Sequence, residues 1–304
     1  MGTQFTITLY STNPVSAENA ATAAFQRVAD LENVMSDYQA DSELMRLCDR
    51  PFGHPVPVSA DLFDILQKSQ RIAELSDGAF DVTIGPFVRL WRFSRKRNHL
   101  PTADEIATAR AAVGWRKMKL DSHNRTVTLL APNMKLDLGG MGKGYAADEA
   151  LRVLKKHGIT RAIVAASGDI AFGDCPPGES GWKTEIVGID GGPNPLRASI
   201  LMHNAGISTS GDSEQYIEIG GVRYSHIVDP TTGLGMTNRI QATIIGPNAT
   251  TTDSLDTTVA LLGPVRGFAL VDTFPRTAAL ILTKEGTNIY CQTSRRFVHL
   301  ARQK

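Results

Sequence analysis

Apolar residues along the chain recur at two spacings, one typical of strands and one typical of amphipathic helices. Thr6–Tyr10 alternates like a strand. A helical spacing follows a capping residue at Ser16, with apolar positions at Ala20, Ala24, Val28, Leu31 and Met35. Further helices are predicted from Ser59 to a stop at Gly78, and from the capping box Thr102-x-x-Glu105 to about Gly114.

The second half of the chain reads mainly as short strands. The remaining predicted strands are Lys117–Leu120 paired with Thr126–Leu130, Lys135–Leu138, Ala162–Ala166, Thr184–Ile189, Ala198–Met202, Gln241–Ile245, Ala278–Thr283 and Asn288–Gln292. Helices are predicted from about Lys143 to His157 and after Thr252. Hairpins mixed with helices favour an α+β fold with largely antiparallel sheets. We expect one domain over residues 1–304, with a boundary between two joined lobes near 175–181.

Composition narrows the function classes. The 304 residues are 42% hydrophobic, which is enough for a sizeable core, and 32 basic residues nearly cancel 31 acidic ones. This balance argues against a nucleic-acid partner. The basic run from Arg89 to Arg97 is interpreted as the solvated face of a loop.

No apolar run approaches the ~20 residues of a membrane span, so no transmembrane segment is expected. The first residues lack a basic region followed by an apolar one, so no signal peptide is expected unless a leader was removed. Cys48, Cys175 and Cys291 are widely spaced without any CxxC, which favours buried thiols over a disulfide framework or a zinc site.

The densest chemical signal is a glycine-rich loop within Leu136–Asp148. Glycines let backbone groups approach a ligand closely, and a helix N-terminus favours phosphate. Neither the Walker pattern nor the dinucleotide pattern fits: a Walker loop needs glycine at Asp137 and a hydroxyl residue at Gly144. A nucleotide site and a tight strand–helix connection therefore both remain open.

Three further segments offer polar groups. Asp253 and Thr257 are four residues apart, so they share one face of a helix starting at Thr252 and could bind a hard cation; helix capping is the alternative. The turn-rich segment Ser225–Gly233 carries His226 and Asp229, and a plain surface turn is the alternative. Ser208–Asp212 is interpreted as a loop with several hydroxyl groups.

Eight short motifs occur in order along the chain. They are Met1-Gly2-Thr3, Ser36-x-Tyr38 with Asp41-Ser42-Glu43-Leu44, Gly78-Ala79-Phe80-Asp81-Val82-Thr83, the glycine loop with Lys143-Gly144-Tyr145, Gly168-Asp169-Ile170, Thr209-Ser210-Gly211, His226-Ile227-Val228-Asp229-Pro230-x-Thr232-Gly233, and Asp253-x-x-x-Thr257. In this order they resemble the ApbE family of FAD:protein FMN transferases. The resemblance spans about Met1 to Gly263 and implies an α+β fold with a T-fold-like core.

The resemblance also implies a reaction and a set of site residues. The substrate is FAD, the metal is Mg²⁺, and the FMN half is attached to a Thr or Ser of an acceptor protein while AMP leaves. The implied metal ligands are Asp253, Thr257 and the carbonyl of Gly140. His226 is the expected general base, which also matches a flavin contact, and Asp229 is expected to orient it or to help form the pocket. The other implied FAD contacts are Met1, Tyr38, Ala79, Phe80, Asp81, Asp137 and Lys143.

Three positions depart from the family pattern. Cys48 replaces a frequent asparagine, Ser167 replaces glycine in a Gly-Gly-Asp motif, and Asp256 replaces a small residue. Asp256 either adds a carboxylate to the metal environment or faces solvent. Two other functions stay open, an Mg²⁺-dependent FAD pyrophosphatase and a non-catalytic flavin-binding protein. The resemblance implies a periplasmic or extracytoplasmic location.

Overall fold

A computed structural model describes residues 2–189, 197–211 and 215–301. Its helices are α1 (Pro14–Met35), α2 (Glu43–Cys48), α3 (Ala60–Leu75), α4 (Gly85–Arg97), α5 (Ala103–Ala111), α6 (Gly142–Lys156), α7 (Ala249–Asp272) and α8 (Phe297–Ala301). Its strands are β1 (Phe5–Leu9), β2 (Val56–Pro57), β3 (Met118–Asp121), β4 (Thr126–Leu129), β5 (Ala162–Ala166), β6 (Asp169–Phe172), β7 (Trp182–Val187), β8 (Arg197–Met202), β9 (Ala205–Gly211), β10 (Tyr216–Ile219), β11 (Val222–Ser225), β12 (Arg239–Gly246), β13 (Ala278–Glu285) and β14 (Asn288–Thr293).

The chain forms two compact units. The first consists of residues 31–140 and 214–237, and the second of residues 2–30, 141–213 and 238–304, in the parts of these ranges that are described. The Pro- and Gly-rich segment 175–181 lies inside the second unit. The chain passes from the first unit to the second within the glycine loop, between Gly140 and Met141.

The first unit contains α2 to α5, a three-stranded sheet in the order β2-β4-β3, and the hairpin β10–β11. Helices α3 and α5 begin at side-chain caps: the Ser59 hydroxyl accepts a hydrogen bond from Leu62 N at 3.2 Å, and the predicted capping box of Thr102 and Glu105 is present. Phe87 and Trp91 are one helical turn apart on α4 and are buried against the hairpin residue Tyr224. These apolar contacts form the core of this unit.

The second unit is built on a seven-stranded sheet in the order β1-β5-β6-β9-β12-β13-β14. Every pair of neighbouring strands is antiparallel, which confirms the predicted α+β class. Successive residues of a strand point to opposite faces of the sheet, and each face is buried in its own apolar core. Ala171 packs with apolar residues of α1 and α6, whereas the adjacent Phe172 packs with Trp182 and Ile200 of the ribbon β7–β8. Helices therefore cover one face and the ribbon covers the other.

The longest helix of the second unit is α7, which packs against α6, β9 and β12. Among the described helices only α7 is long and apolar enough to cross a membrane, and half of its most apolar window is buried inside the unit. The helix is interrupted at Gly263, whose φ of 71° suits glycine, directly before Pro264. This pattern of burial is that of a core helix.

Several sequence predictions are wrong in detail. Residues 135–138 form no strand beyond one parallel bridge from Ile84 to Lys135, because their backbone bonds go to irregular partners such as Val82 O, which accepts from Asp137 N at 2.8 Å. Helix α7 starts at Ala249 rather than Thr252, since the Asn248 side chain caps it.

Two segments predicted as loops belong to regular elements. The basic run lies on helix α4, and its Arg92 side chain is partly buried and paired with carboxylates. Ser208–Gly211 belongs to β9, an interior strand held on both sides by β6 and β12, while Asp212 lies outside the described residues. Cys48 is a buried thiol as expected, but Cys291 is exposed on β14.

Candidate active site

Three carboxylates and one ammonium group meet in the second unit. Asp169 on β6 and Asp253 and Asp256 on α7 are each at most 2% exposed, and one oxygen from each lies within 4.8 Å of the others. The Lys143 ammonium, in the first turn of α6, donates to Asp169 Oδ2 and, at 3.0 Å, to Asp253 Oδ1. The cluster therefore joins one strand and two helices through side-chain charges.

Close packing of α6 on α7 brings this cluster together. A Cβ atom at Gly144 would lie 2.2 Å from the Ala249 carbonyl oxygen, so only glycine permits this approach. The approach lets Gly144 N donate to Asp253 Oδ2 at 2.8 Å. From the same helix, the Asp148 carboxylate accepts hydrogen bonds from the N–H groups of Ala249 and Thr250 at 2.9 and 2.7 Å. The glycine motif thus acts as a helix-to-helix contact that positions Asp253.

Hydroxyl groups from β9 line the neighbouring turns of α7. Thr257 Oγ1 lies 3.2 Å from Ser210 Oγ, one helical turn beyond Asp253. Buried Ser208 and Thr252 share a hydrogen bond of 2.8 Å. Asp253 and Thr257 therefore share one face of a helix, as predicted, but in its second and third turns rather than in its capping position.

Burial and mutual repulsion dominate the electrostatics of the cluster. Burial, together with the nearby Asp253 carboxylate, raises the pKa of Asp169 to about 7. Burial raises the pKa of Asp256 well above its usual range, and repulsion by the Asp169 and Asp253 carboxylates raises it further. Burial alone would lower the pKa of Lys143, but Asp253 and Asp169 more than offset it and raise that pKa. Buried carboxylates that repel one another in this way favour the binding of an additional cation.

The donor set fits a magnesium ion. The cluster offers carboxylate oxygens and hydroxyl groups, which are the ligands that hard divalent cations prefer. Asp169 Oδ1 is buried and has no hydrogen-bond partner among the described residues. With three ionised carboxylates and one ammonium the cluster carries two net negative charges, which one divalent cation neutralises. Asp253 therefore belongs to a cluster that could bind a divalent cation, and Thr257 lies one helical turn beyond it.

A second polar cluster lies in the first unit. The Arg92 guanidinium donates to Asp37 and, at 3.2 Å, to Asp137 Oδ2, and its Cζ atom lies 4.2 Å from the ring centre of Tyr38. Asp137 Oδ1 accepts from Gly139 N at 2.7 Å, which bends the start of the glycine loop. Burial and the Asp37 carboxylate raise the pKa of Asp137. Tyr38 is 69% exposed, so its ring is available to a ligand.

The segment from Ala79 to Asp81 is held by hydrogen bonds and packing within the first unit. The Asp81 carboxylate accepts from the backbone and hydroxyl groups of Thr83 at 2.8 and 2.7 Å, and from Trp115 N at 2.9 Å. Burial raises the pKa of Asp81. Phe80 is buried, and its ring lies against Gly140, where an added Cβ atom would be 3.2 Å away. Asp81 therefore fixes this loop, while Ala79 remains half-buried.

His226 follows the hairpin β10–β11 directly. Its ring Nδ1 lies 3.2 Å from the Gln215 carbonyl oxygen, and its backbone N–H donates to the same oxygen at 3.1 Å. Asp229 Oδ1 accepts from the backbone and hydroxyl of Thr231 at 2.7 and 2.6 Å, forming a turn. The predicted orienting partner of His226 is Asp229, whereas the contact seen at Nδ1 is the Gln215 carbonyl. Both side chains are half-buried.

The structure brings together Lys143, Asp253 and Thr257 in one unit and Tyr38 and Asp137 in the other. Met1 lies outside the described residues. Asp256 joins the carboxylate cluster rather than solvent. Sequence reasoning assigned no role to Asp169, although the Gly168-Asp169-Ile170 motif marked it. The roles of all these residues toward FAD and metal stay predictions.

Comparisons with known proteins identify the family. The model of the ApbE family matches residues 1–281. An FAD:protein FMN transferase of Escherichia coli K12 is 33% identical over 271 residues, covering 88% of this chain and 77% of the relative. One of Vibrio cholerae is 30% identical over 300 residues, covering 97% of this chain and 89% of the relative.

Solved structures give the same answer at the level of the fold. The flavin transferase ApbE of Vibrio cholerae superimposes with a TM-score of 0.90 at 28% identity, covering 99% of this chain and 96% of that one. The ApbE protein of Thermotoga maritima has a TM-score of 0.83 at 30% identity, with coverage of 99% and 96%. These matches confirm the predicted α+β fold, and with the family model they show that the chain belongs to the ApbE family.

Proposed function

We propose that this chain transfers the FMN half of FAD to a Thr or Ser hydroxyl of an acceptor protein, with Mg²⁺ bound and AMP released. The observation that carries the proposal is the buried cluster of Asp169, Asp253 and Asp256 around Lys143 at the start of a glycine-led helix. The relatives named FAD:protein FMN transferase support the choice of substrate and reaction.

Asp253 and Thr257 would hold the magnesium ion, with Asp256 and Asp169 adding charge beside them. The Gly140 carbonyl remains a ligand implied by the family resemblance. When bound, Mg²⁺ neutralises the negative charge of a diphosphate and of the transition state of phosphoryl transfer. The Lys143 ammonium supplies a further positive charge that an anionic substrate needs.

The reaction balances without a redox partner. The acceptor hydroxyl oxygen forms a bond to the phosphorus on the FMN side, the phosphoanhydride bond breaks, and AMP leaves with the bridging oxygen. The hydroxyl proton goes to His226. Because the Gln215 carbonyl lies 3.2 Å from His226 Nδ1, a proton on Nδ1 is favoured, which makes Nε2 the basic nitrogen.

FAD contacts by Tyr38, Phe80 and Asp137 remain predictions of the resemblance, as does an extracytoplasmic location. Tyr38 supports its assignment by presenting an exposed aromatic ring beside a guanidinium. Asp137 is anchored by Arg92, which is the arrangement expected of a side chain that must be held in one orientation.

The test is covalent labelling of an acceptor. The protein is incubated with FAD, Mg²⁺ and an acceptor carrying an Asp-x-x-Ser/Thr-Ala-Thr-like segment, and flavin fluorescence is read in a denaturing gel. We expect a fluorescent acceptor band that EDTA abolishes and that is lost when the target hydroxyl residue of the acceptor is replaced by alanine. Free FMN and AMP without a labelled acceptor would show a pyrophosphatase instead, and bound but intact FAD would show a flavin-binding protein.

A further inference from the structure

The Lys143 ammonium is shared between two carboxylates that lie on different elements. It donates to Asp169 on β6 and lies 3.0 Å from Asp253 Oδ1 on α7. Asp253 is also the side chain placed to hold a divalent cation, so the ammonium and the cation need the same carboxylate. A lysine at this point can therefore help the site or compete with it.

The two carboxylates differ in how their oxygens are engaged. Asp253 Oδ2 is fixed by Gly144 N at 2.8 Å, which leaves Oδ1 as the oxygen that Lys143 and a cation would share. Asp169 Oδ2 accepts from Lys143, while Asp169 Oδ1 is buried and has no hydrogen-bond partner among the described residues. Asp169 can thus keep the ammonium after Asp253 releases it.

The charges favour this division. A divalent cation and the ammonium bring three positive charges, which three ionised carboxylates balance. Without the charge of Asp169, two carboxylates would face the same three positive charges, and like-charge repulsion in a buried site is costly. The ammonium would then turn to Asp253 and oppose the cation.

We propose that Asp169 is a positioning residue of this site. Its carboxylate holds the Lys143 ammonium away from Asp253, so that Asp253 can take a divalent cation while Lys143 remains as a separate positive charge. The proposal rests on the proposed function for the role of the cation, but its test measures binding of Mn²⁺ alone, without FAD or acceptor. Failure of FMN transfer would therefore leave this result interpretable.

The test compares Mn²⁺ affinity in four proteins by the electron paramagnetic resonance signal of free Mn²⁺. Asp169→Asn keeps the shape of the side chain and removes its charge, and it should weaken Mn²⁺ binding on the order of 10- to 100-fold. Lys143→Met removes the competing ammonium and should bind Mn²⁺ more tightly than wild type. In the double variant the loss caused by Asp169→Asn should largely disappear, because no ammonium is left to compete.

Glu149→Gln is the matched control, since Glu149 is a partly buried carboxylate of α6 that pairs with Arg27 and Arg152 rather than with α7. It should lower the melting temperature and leave Mn²⁺ affinity near wild type, whereas metal-free Asp169→Asn should melt no lower than wild type.

Unchanged Mn²⁺ affinity in Asp169→Asn would overturn the proposal. An equal loss in the Lys143→Met background would also overturn it, because Asp169 would then be a direct ligand. If Asp169→Asn does not fold, weaker Mn²⁺ binding by Lys143→Met alone would still refute the competition.

Discussion

Replacing Gly144 with alanine tests the contact between α6 and α7 that positions Asp253. In an ordinary helix this change is favourable by about 1 kcal/mol, because alanine has the higher helix propensity. Here the added Cβ atom would lie 2.2 Å from the Ala249 carbonyl oxygen and 2.8 Å from Asp253 Cβ. The helices must separate, so we expect the sign of the effect to reverse.

The size of the reversal follows from the steric overlap and from the hydrogen bond that its relief would break. Relief of the overlap requires the helices to part by roughly 1 Å, given ordinary contact distances of ~3.5 Å. The hydrogen bond from Gly144 N to Asp253 Oδ2, now 2.8 Å, would then exceed bonding distance. Overpacking costs ~1–3 kcal/mol and a hydrogen bond to a charged group contributes ~1.5–3 kcal/mol. After the propensity gain, we expect a net destabilisation of about 1.5 to 5 kcal/mol.

The assay is urea unfolding of the metal-free protein, followed by circular dichroism. The matched control is the pair Arg152→Ala and Arg152→Gly, at an exposed position of the same helix. There the alanine variant should be the more stable by about 1 kcal/mol. A Gly144→Ala protein as stable as wild type would refute the close approach of α6 and α7, and with it the described geometry of the carboxylate cluster.

Other variants separate metal binding, proton transfer and substrate binding. Asp253→Ala should abolish Mg²⁺-dependent AMP release more completely than FAD binding, measured on the same protein by AMP assay and isothermal titration. His226→Gln should slow single-turnover transfer by on the order of 10²–10⁴ with little change in the FAD dissociation constant; full rate at saturating FAD would exclude His226 as the base. Arg92→Lys keeps the charge but loses the paired contacts to Asp37 and Asp137, so FAD affinity should fall roughly tenfold by titration while the rate at saturating FAD changes less. Because the pKa of Asp169 is raised from 3.8 to about 7 in the folded protein, ionisation of this group lowers the free energy of unfolding. This destabilisation is absent below pH 3.8 and complete above about pH 7. The melting temperature of the metal-free wild type should therefore fall relative to that of Asp169→Asn as pH rises through this window, and parallel melting curves would contradict the shift.

Features that depend on neighbours in sequence could be predicted. The capping box of Thr102 and Glu105 forms as predicted, because it depends only on hydrogen bonds between residues three apart. The helix after Ser59 also begins at its predicted cap. The spacing of Asp253 and Thr257 placed both on one helical face, because that relation depends only on the helical period. The motif order carried the family resemblance, which the family model confirms.

Features that depend on distant partners could not be predicted. Asp169 on β6 lies 26 residues from Lys143 on α6, and the packing of this helix on the sheet is not visible in local patterns. The segment 135–138 alternates like a strand, but its strand-like pairing within the described part of the chain is the single bridge from Lys135 to Ile84. Arg92 was predicted to lie on a solvated basic face, because its two carboxylate partners are 55 and 45 residues away in the sequence.

The central claim is transfer of FMN to protein rather than hydrolysis of FAD, and the stoichiometry of AMP to labelled acceptor tests it most directly. In one reaction with FAD, Mg²⁺ and excess acceptor, AMP is quantified by chromatography and the flavin-bearing acceptor by intact mass spectrometry. We expect one AMP for each acceptor that carries FMN, and no AMP when EDTA replaces Mg²⁺. AMP formed with free FMN, at the same rate whether or not the acceptor is present, would contradict it.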